Sequence, residues 1–142
     1  MRRRDFLRTS VMALPALGLA ATACTQAAAQ TGHVVVHKEA TCGCCAIWIQ
    51  HLQTAGFTTE AIDYDDLSAF KAQQGVPLDL RACHTAIVGG YLVEGHVQAR
   101  DLQRLLGERP AARGLAVPGM PLGTPGMGME QGLPMARHDV YL

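Results

Sequence analysis

The sequence predicts an α/β fold built as one small domain. Three observations carry that prediction. Short β-branched runs alternate with segments whose apolar residues recur at helical spacing. Two apolar runs meet at Gly89-Gly90, as the strands of a hairpin do. Beyond Pro110 the composition shifts so sharply towards glycine and proline that the domain is expected to end there.

Residues His33 to Lys38 are β-branched and apolar and read as the first strand. After a cysteine-rich turn, Cys45, Trp48, Ile49 and Leu52 fall at i, i+3, i+4 and i+7, one face of a helix that Gly56 ends. Phe57 to Tyr64 reads as a second strand. The stretch "DDLSAFKAQQG" reads as a short helix, with acidic residues in its first turn and Gly75 after its last. The hairpin follows, then a closing helix, "VQARDLQRLLGER", with Ala99, Leu102, Leu105 and Leu106 on one side. The order is β-α-β-α-β-β-α. A first strand running into a cysteine-headed helix, with a late hairpin, is the order of the thioredoxin fold. The expected architecture is therefore thioredoxin-like: a mixed four-stranded sheet with flanking helices over residues 30–110, and an extended Gly/Pro/Met-rich tail over residues 111–142, packed on the domain. That tail can be neither a long helix nor a central strand.

The chain of 142 residues opens on a basic stretch, "MRRRDFLRTS", followed by the apolar "VMALPALGLAATA". These are the charged and apolar regions of an export signal, too short to remain as a membrane span. Arg3-Arg4-Asp5-Phe6-Leu7-Arg8 matches a twin-arginine signal, with an ordinary secretory signal as the alternative. Twin-arginine export carries proteins already folded, which mildly favours a metal seated early. Ala27-Ala28-Ala29 suits cleavage, so residues 1–29 are expected to be the signal and the product to be periplasmic. The alternative is a lipoprotein tethered to the membrane through Cys24; without lipid there, no stable membrane insertion is expected.

Loss of the signal removes four arginines and one aspartate, leaving 8 Lys+Arg against 11 Asp+Glu, a charge near −3. No basic stripe remains, so nucleic acid is not an expected partner. Four cysteines remain: Cys42, Cys44, Cys45 and Cys83. In an oxidising compartment an even count usually means disulfides. The adjacency of Cys44 and Cys45 argues against a simple staple, since a bridge between neighbours strains the peptide.

The turn Cys42-Gly43-Cys44-Cys45 holds a C-x-x-C and a C-x-C at once. A helix start favours thiolates through its open N–H groups and dipole. Thiolates serve disulfide exchange or soft-metal ligation. Exchange needs only two thiols, and Cys83 precedes the strand that faces the helix start in a thioredoxin fold. Four thiolates converging there suit Cu(I), zinc or an iron–sulfur centre and are wrong for magnesium or calcium. His84, beside Cys83, would point to the opposite sheet face in a regular strand and becomes a ligand only if the backbone bulges. His51 lies seven residues after Cys44, about 10 Å along a helix, and is expected at the surface. His33, His37 and His138 are expected to be solvated, His96 is ambiguous, and Trp48 belongs to the core. Met120, Met127, Met129 and Met135 either fill gaps under the tail or offer thioethers to copper; Met120 and Met127 are the candidate ligands.

The segments "CGCCAIWIQHLQTAGF", "ACHTAIVGGYLVEGHV", "LLGERP" and "GLAVPGMPLGTPGM" together resemble the CopG-type copper-resistance family, which carries domain of unknown function 411. The resemblance runs from about His33 to Leu142. Gln98 departs from it, where "EGHVPA" is the more usual form. The resemblance implies a thioredoxin-like periplasmic protein found with copper-resistance systems. It implies that the cysteines gather copper as a multi-copper thiolate cluster able to change between Cu(I) and Cu(II). Carried over by position, the ligands are Cys42, Cys44, Cys45 and Cys83. The implied partners are copper ions, periplasmic copper chaperones and efflux components. The sequence assigns no catalytic residue. Oxidoreductase chemistry stays open, on copper or as a thiol–disulfide exchange through Cys42 and Cys45, and an iron–sulfur electron carrier is a third reading.

Overall fold

A computed structural model describes residues 31–137 and 139–140. Residues 1–29, expected to be an export signal and including Cys24, and His138 lie outside the described residues. Among those described, no helix is long and apolar enough to cross a membrane.

The chain runs through β1 (His33–Glu39), α1 (Gly43–Thr54), β2 (Thr58–Tyr64), α2 (Ser68–Gln73), β3 (His84–Val88), β4 (Tyr91–Glu94), α3 (Ala99–Glu108) and β5 (Gly114–Ala116). Short 3₁₀ turns occupy Leu78–Leu80 and Met129–Gln131. The sheet order is β2-β1-β3-β4-β5. β1 runs parallel to β2 and antiparallel to β3, and β4 is antiparallel to β3.

The sheet has five strands where the sequence predicts four. The fifth, β5, comes from the tail and lies parallel to β4, with Leu92 opposite Gly114 and Glu94 opposite Ala116. Three residues between Pro110 and Pro118 are too few to show a period. The strand sits at an edge, where proline-rich flanks cost no ladder bond.

One sheet face carries Val34, Val36, Ala86, Val88 and Val93. Trp48 and Leu52 of α1 and Ala99 and Leu102 of α3 pack on it as the main core. The i, i+3, i+7 spacing of Cys45, Trp48 and Leu52 is what buries that face of α1. The turn expected at Gly56 is real: its φ of 94° is left-handed, a conformation glycine adopts without penalty. On the opposite face α2 covers the sheet through Phe70 and Lys71. His37 stacks on Phe70 at 3.9 Å and bonds Tyr64 Oη at 2.9 Å, so it is buried rather than solvated. The acidic residues of "DDLSAF" precede α2 instead of occupying its first turn, and Asp66 accepts the Ser68 N–H at 2.8 Å.

Candidate metal centre

The start of α1 builds one side of the centre. Cys42 is its N-cap, Cys44 and Cys45 lie in its first turn, and neither an acidic residue nor a capping side chain competes for the open N–H groups there. Cys42 and Cys45 are joined as a disulfide, with their Cα atoms 5.4 Å apart, while Cys44 and Cys83 are free thiols. The Cys42 and Cys44 sulfurs are 3.6 Å apart.

β3, β4 and the tail build the other side. Cys83 stands just before β3. All four cysteine sulfurs lie within 4.8 Å of one another. Cys45 is fully buried, and the other three are half-buried at a cleft that Lys71, Arg81 and Met120 also line.

Cys83 belongs to a second group as well. Donor atoms of Cys83, His84 and His96 also lie within 4.8 Å of one another. The Cys83 sulfur is 2.8 Å from His96 Nε2 and 3.4 Å from His84 Nδ1. His96 Nδ1 is 2.5 Å from the Pro125 carbonyl. A carbonyl oxygen only accepts, so Nδ1 carries the proton and Nε2 keeps its lone pair towards Cys83. Burial holds His96 below its ordinary pKa, against the opposing effects of Pro125 and Glu130, so the ring is neutral at pH 7. Burial also lowers His84 well below its usual value, helped by His96 and Lys71. Its ring packs against Trp48 at 4.2 Å, and its Nε2 is buried without a hydrogen-bond partner. Native interiors rarely leave such an atom unpaired.

The Cys83 thiol is pushed up to about 12, first by burial and then by Cys44 beside it; Lys71 pulls the other way. Metal-free, it is therefore a protonated S–H able to donate to His96 Nε2. A cation that displaces the proton would find sulfur and imidazole lone pairs already turned together. Once the Cys42–Cys45 bridge is reduced, the donor set would be four sulfurs and two imidazoles, with no carboxylate in either group. That set, with His84 Nδ1 facing Cys83, fits a soft metal such as copper.

The structure thus brings Cys42, Cys44, Cys45, Cys83 and His84 together. Met120 reaches the cleft but is 45% exposed. Met127 is half-buried in the tail, and its backbone N–H bonds Thr124 O. Met135 accepts from Gln98 Nε2 at 3.3 Å. His51 is half-buried instead of at the surface: its Nε2 accepts the Ala99 N–H at the start of α3.

His96 is the residue that sequence reasoning leaves undecided. Its place depends on Gly95, whose φ is 74° and where a Cβ would collide with Val117 O. It depends equally on the tail carbonyl of Pro125. The Gly-His pair after a strand was the available signal.

The family model described as protein of unknown function, DUF411, matches residues 80–127. Two solved structures, described as copper resistance protein CopG in form 1 and form 2, are similar to this chain. Form 1 is 43% identical, covers 78% of this chain and 86% of its own, and has a TM-score of 0.70. Form 2 is 44% identical over 76% of this chain and 85% of its own, also at 0.70. A search of curated proteins finds no match.

Proposed function

The chain belongs to the CopG-type copper-resistance family, and from that premise we propose that it binds copper in the periplasm for copper resistance or homeostasis. The observation that carries this reading is the convergence of four sulfurs within 4.8 Å, one of them shared with two buried imidazoles. The fold is thioredoxin-like in this reading, since a parallel β1–β2 pair, an antiparallel β1–β3 pair and a β3–β4 hairpin set a cysteine-headed helix against β3. The metal is copper, held mainly as Cu(I) by Cys42, Cys44, Cys45 and Cys83 in a multi-copper thiolate cluster. When bound, copper supplies one-electron chemistry between Cu(I) and Cu(II). His84 and His96 add imidazole ligands from the buried side, and Met120 adds a thioether at the cleft. Copper chaperones and efflux components are the partners expected to deliver or receive the metal.

The residues of the chain set the order of events. The Cys42–Cys45 bridge occupies two of the four sulfurs. A dithiol reductant would attack it, become a disulfide itself, and leave Cys42 and Cys45 each with an electron and a proton. Only then are four thiols available. Their protons leave as the metal enters, so copper uptake acidifies an unbuffered solution.

The bridge also favours a second reading, a periplasmic thiol–disulfide oxidoreductase using Cys42 and Cys45. Metal content and absorption of the protein purified from periplasm separate the two. Copper together with a thiolate-to-copper band supports the first reading. Metal-free protein with a readily reducible bridge supports the second.

A further inference from the structure

We propose that Glu94, held in place by Lys71, is the positioning residue for Cys83, and that it clamps the two-residue segment Cys83-His84 from both sides. The proposal rests on the copper reading above for its function but on separate residues for its geometry.

Glu94 ends β4 and is 3% exposed. Its Oε1 accepts the Ala82 N–H at 2.7 Å and the Lys71 ammonium at 2.5 Å. Its Oε2 accepts the Thr85 hydroxyl at 2.5 Å. Lys71 Nζ also donates to Thr85 Oγ1 at 2.8 Å. Ala82 and Thr85 are the residues immediately before and after Cys83-His84. One carboxylate therefore grips the chain on either side of the segment that presents a sulfur and an imidazole to the centre.

A buried ion pair is an unusual choice for holding a fold together. Desolvating both charges is costly, and apolar replacement of such pairs is often neutral or stabilising. What an apolar pair cannot do is accept a backbone N–H. Ala82 lies outside the β3–β4 ladder, which begins at Thr85 opposite Glu94, so the Glu94 carboxylate supplies the acceptor that the sheet does not. Lys71 comes from α2, on the far side of the sheet from the main core. It fixes the carboxylate's orientation and makes the clamp part of the packing between α2 and the sheet. Cys83 must reach Cys44 on one side and His96 on the other, and a loose Ala82-Cys83 segment would lose both. Supporting groups of this kind typically contribute about ten- to a hundredfold in metal affinity.

Two double variants of the full chain isolate the clamp, because neither leaves an unpaired buried charge. In Lys71→Met/Glu94→Gln the amide oxygen still accepts the Ala82 N–H, and the amide nitrogen can donate to Thr85 Oγ1. In Lys71→Met/Glu94→Leu the Ala82 N–H has no acceptor. Two readouts apply to both. One is Cu(I) retention against a competing chelator, with the thiolate-to-copper band recorded. The other is the rate at which iodoacetamide alkylates Cys83 in reduced, metal-free protein, followed by peptide mass.

The Gln variant, which lacks Lys71 but keeps the acceptor for the Ala82 N–H, is the baseline for both readouts. The Leu variant should give up Cu(I) at least about tenfold more readily and alkylate Cys83 faster, while keeping a cooperative melt. Equal behaviour of the two variants in both readouts overturns the clamp. Should the Leu variant not fold, Thr85→Val removes one arm only. It should raise Cys83 alkylation by a smaller factor, and a rate identical to wild type again overturns the proposal. A wild type that takes up no Cu(I) would defeat the copper reading but not the alkylation comparison, which then decides on the clamp alone.

Discussion

The two walls of the cysteine cleft are built in opposite ways. The α1 wall is local: Cys42, Cys44 and Cys45 fall within four consecutive positions, and one helix start sets their directions. The β3 wall is assembled: Cys83 stands just before β3 and His84 opens it, His96 comes from the turn after β4, and its anchor, Pro125, from the tail. On the local wall one helix start places every donor, although Cys45 is also core and bridged to Cys42. On the assembled wall each donor depends on packing, so residues remote in sequence also bear on the centre.

The largest effect should come from the sulfurs. Replacing any of Cys42, Cys44, Cys45 or Cys83 with serine exchanges a soft thiolate for a hydroxyl that stays protonated at neutral pH. Copper capacity should fall in all four variants and non-additively in pairs, as measured by metal analysis after gel filtration. Full capacity in Cys44→Ser beside complete loss in Cys42→Ser would reduce the centre to a simple C-x-x-C pair.

Next in size is His96→Asn. The asparagine amide can still donate to Pro125 O, so the tail stays anchored, but the Nε2 lone pair is gone. Cu(I) affinity should drop about ten- to a hundredfold, with some loss of Tm because a fully buried ring is replaced by a smaller side chain. His51→Gln keeps an acceptor for the Ala99 N–H and should leave affinity untouched; an equal loss in both would make the effect general rather than a property of the β3 wall.

Gly126→Ala probes the tail. Its φ is +83°, and a Cβ there would collide with Cys44 O. The left-handed backbone alone costs about 1–2 kcal/mol for a residue with a side chain, and the collision adds to it. Lower Tm and faster metal loss should appear together, since this glycine is where the tail meets the local wall.

Acid should weaken the fold before it protonates any exposed carboxylate. His37, His51, His84 and His96 are all held below the ordinary histidine value, burial being the first cause for each. Unfolded histidines take up protons below about pH 6.5, while the folded ones resist. Stability is therefore complete above that pH and is lost as pH falls through it towards the lowered folded values. The Tm of reduced, metal-free protein should drop by several degrees between pH 7.5 and 5.5; a flat profile would mean that these rings titrate freely in the fold.

The smallest effect belongs to the thioethers. Exchanging Met120, Met127 and Met129 together for leucine conserves volume closely, and each such swap usually costs under about 1.5 kcal/mol. Folding should survive, with somewhat faster copper loss or air oxidation of the thiols. Unchanged copper retention with a lower Tm would leave the methionines a packing role only.

The same contrast explains what could be read from the sequence. The alternation of strands and helices was legible because each element carries its own period, as the Cys45, Trp48, Leu52 face of α1 does. The three-cysteine turn was legible because its ligands are neighbours in the chain. β5 was not, because three residues hold no period and its pairing with β4 is a tertiary fact. The burial of His37 and His51 was hidden for a similar reason: their partners, Phe70 and the Ala99 N–H, lie 33 and 48 positions away. His96 needed both a glycine turn and a tail carbonyl 29 positions later. Nothing in the sequence singles out Glu94 and Lys71, because their pairing and the Ala82 N–H they hold are tertiary facts.

The claim that both walls close on one metal centre is tested most directly by thiol protection. Reduced full-length protein is titrated anaerobically with Cu(I), then alkylated, and each cysteine is quantified by peptide mass. Cu(I) at saturation should protect Cys42, Cys44, Cys45 and Cys83 together, along one titration curve. Protection of the three α1 cysteines while Cys83 reacts as fast as in metal-free protein would contradict a shared centre and leave copper on the local wall alone.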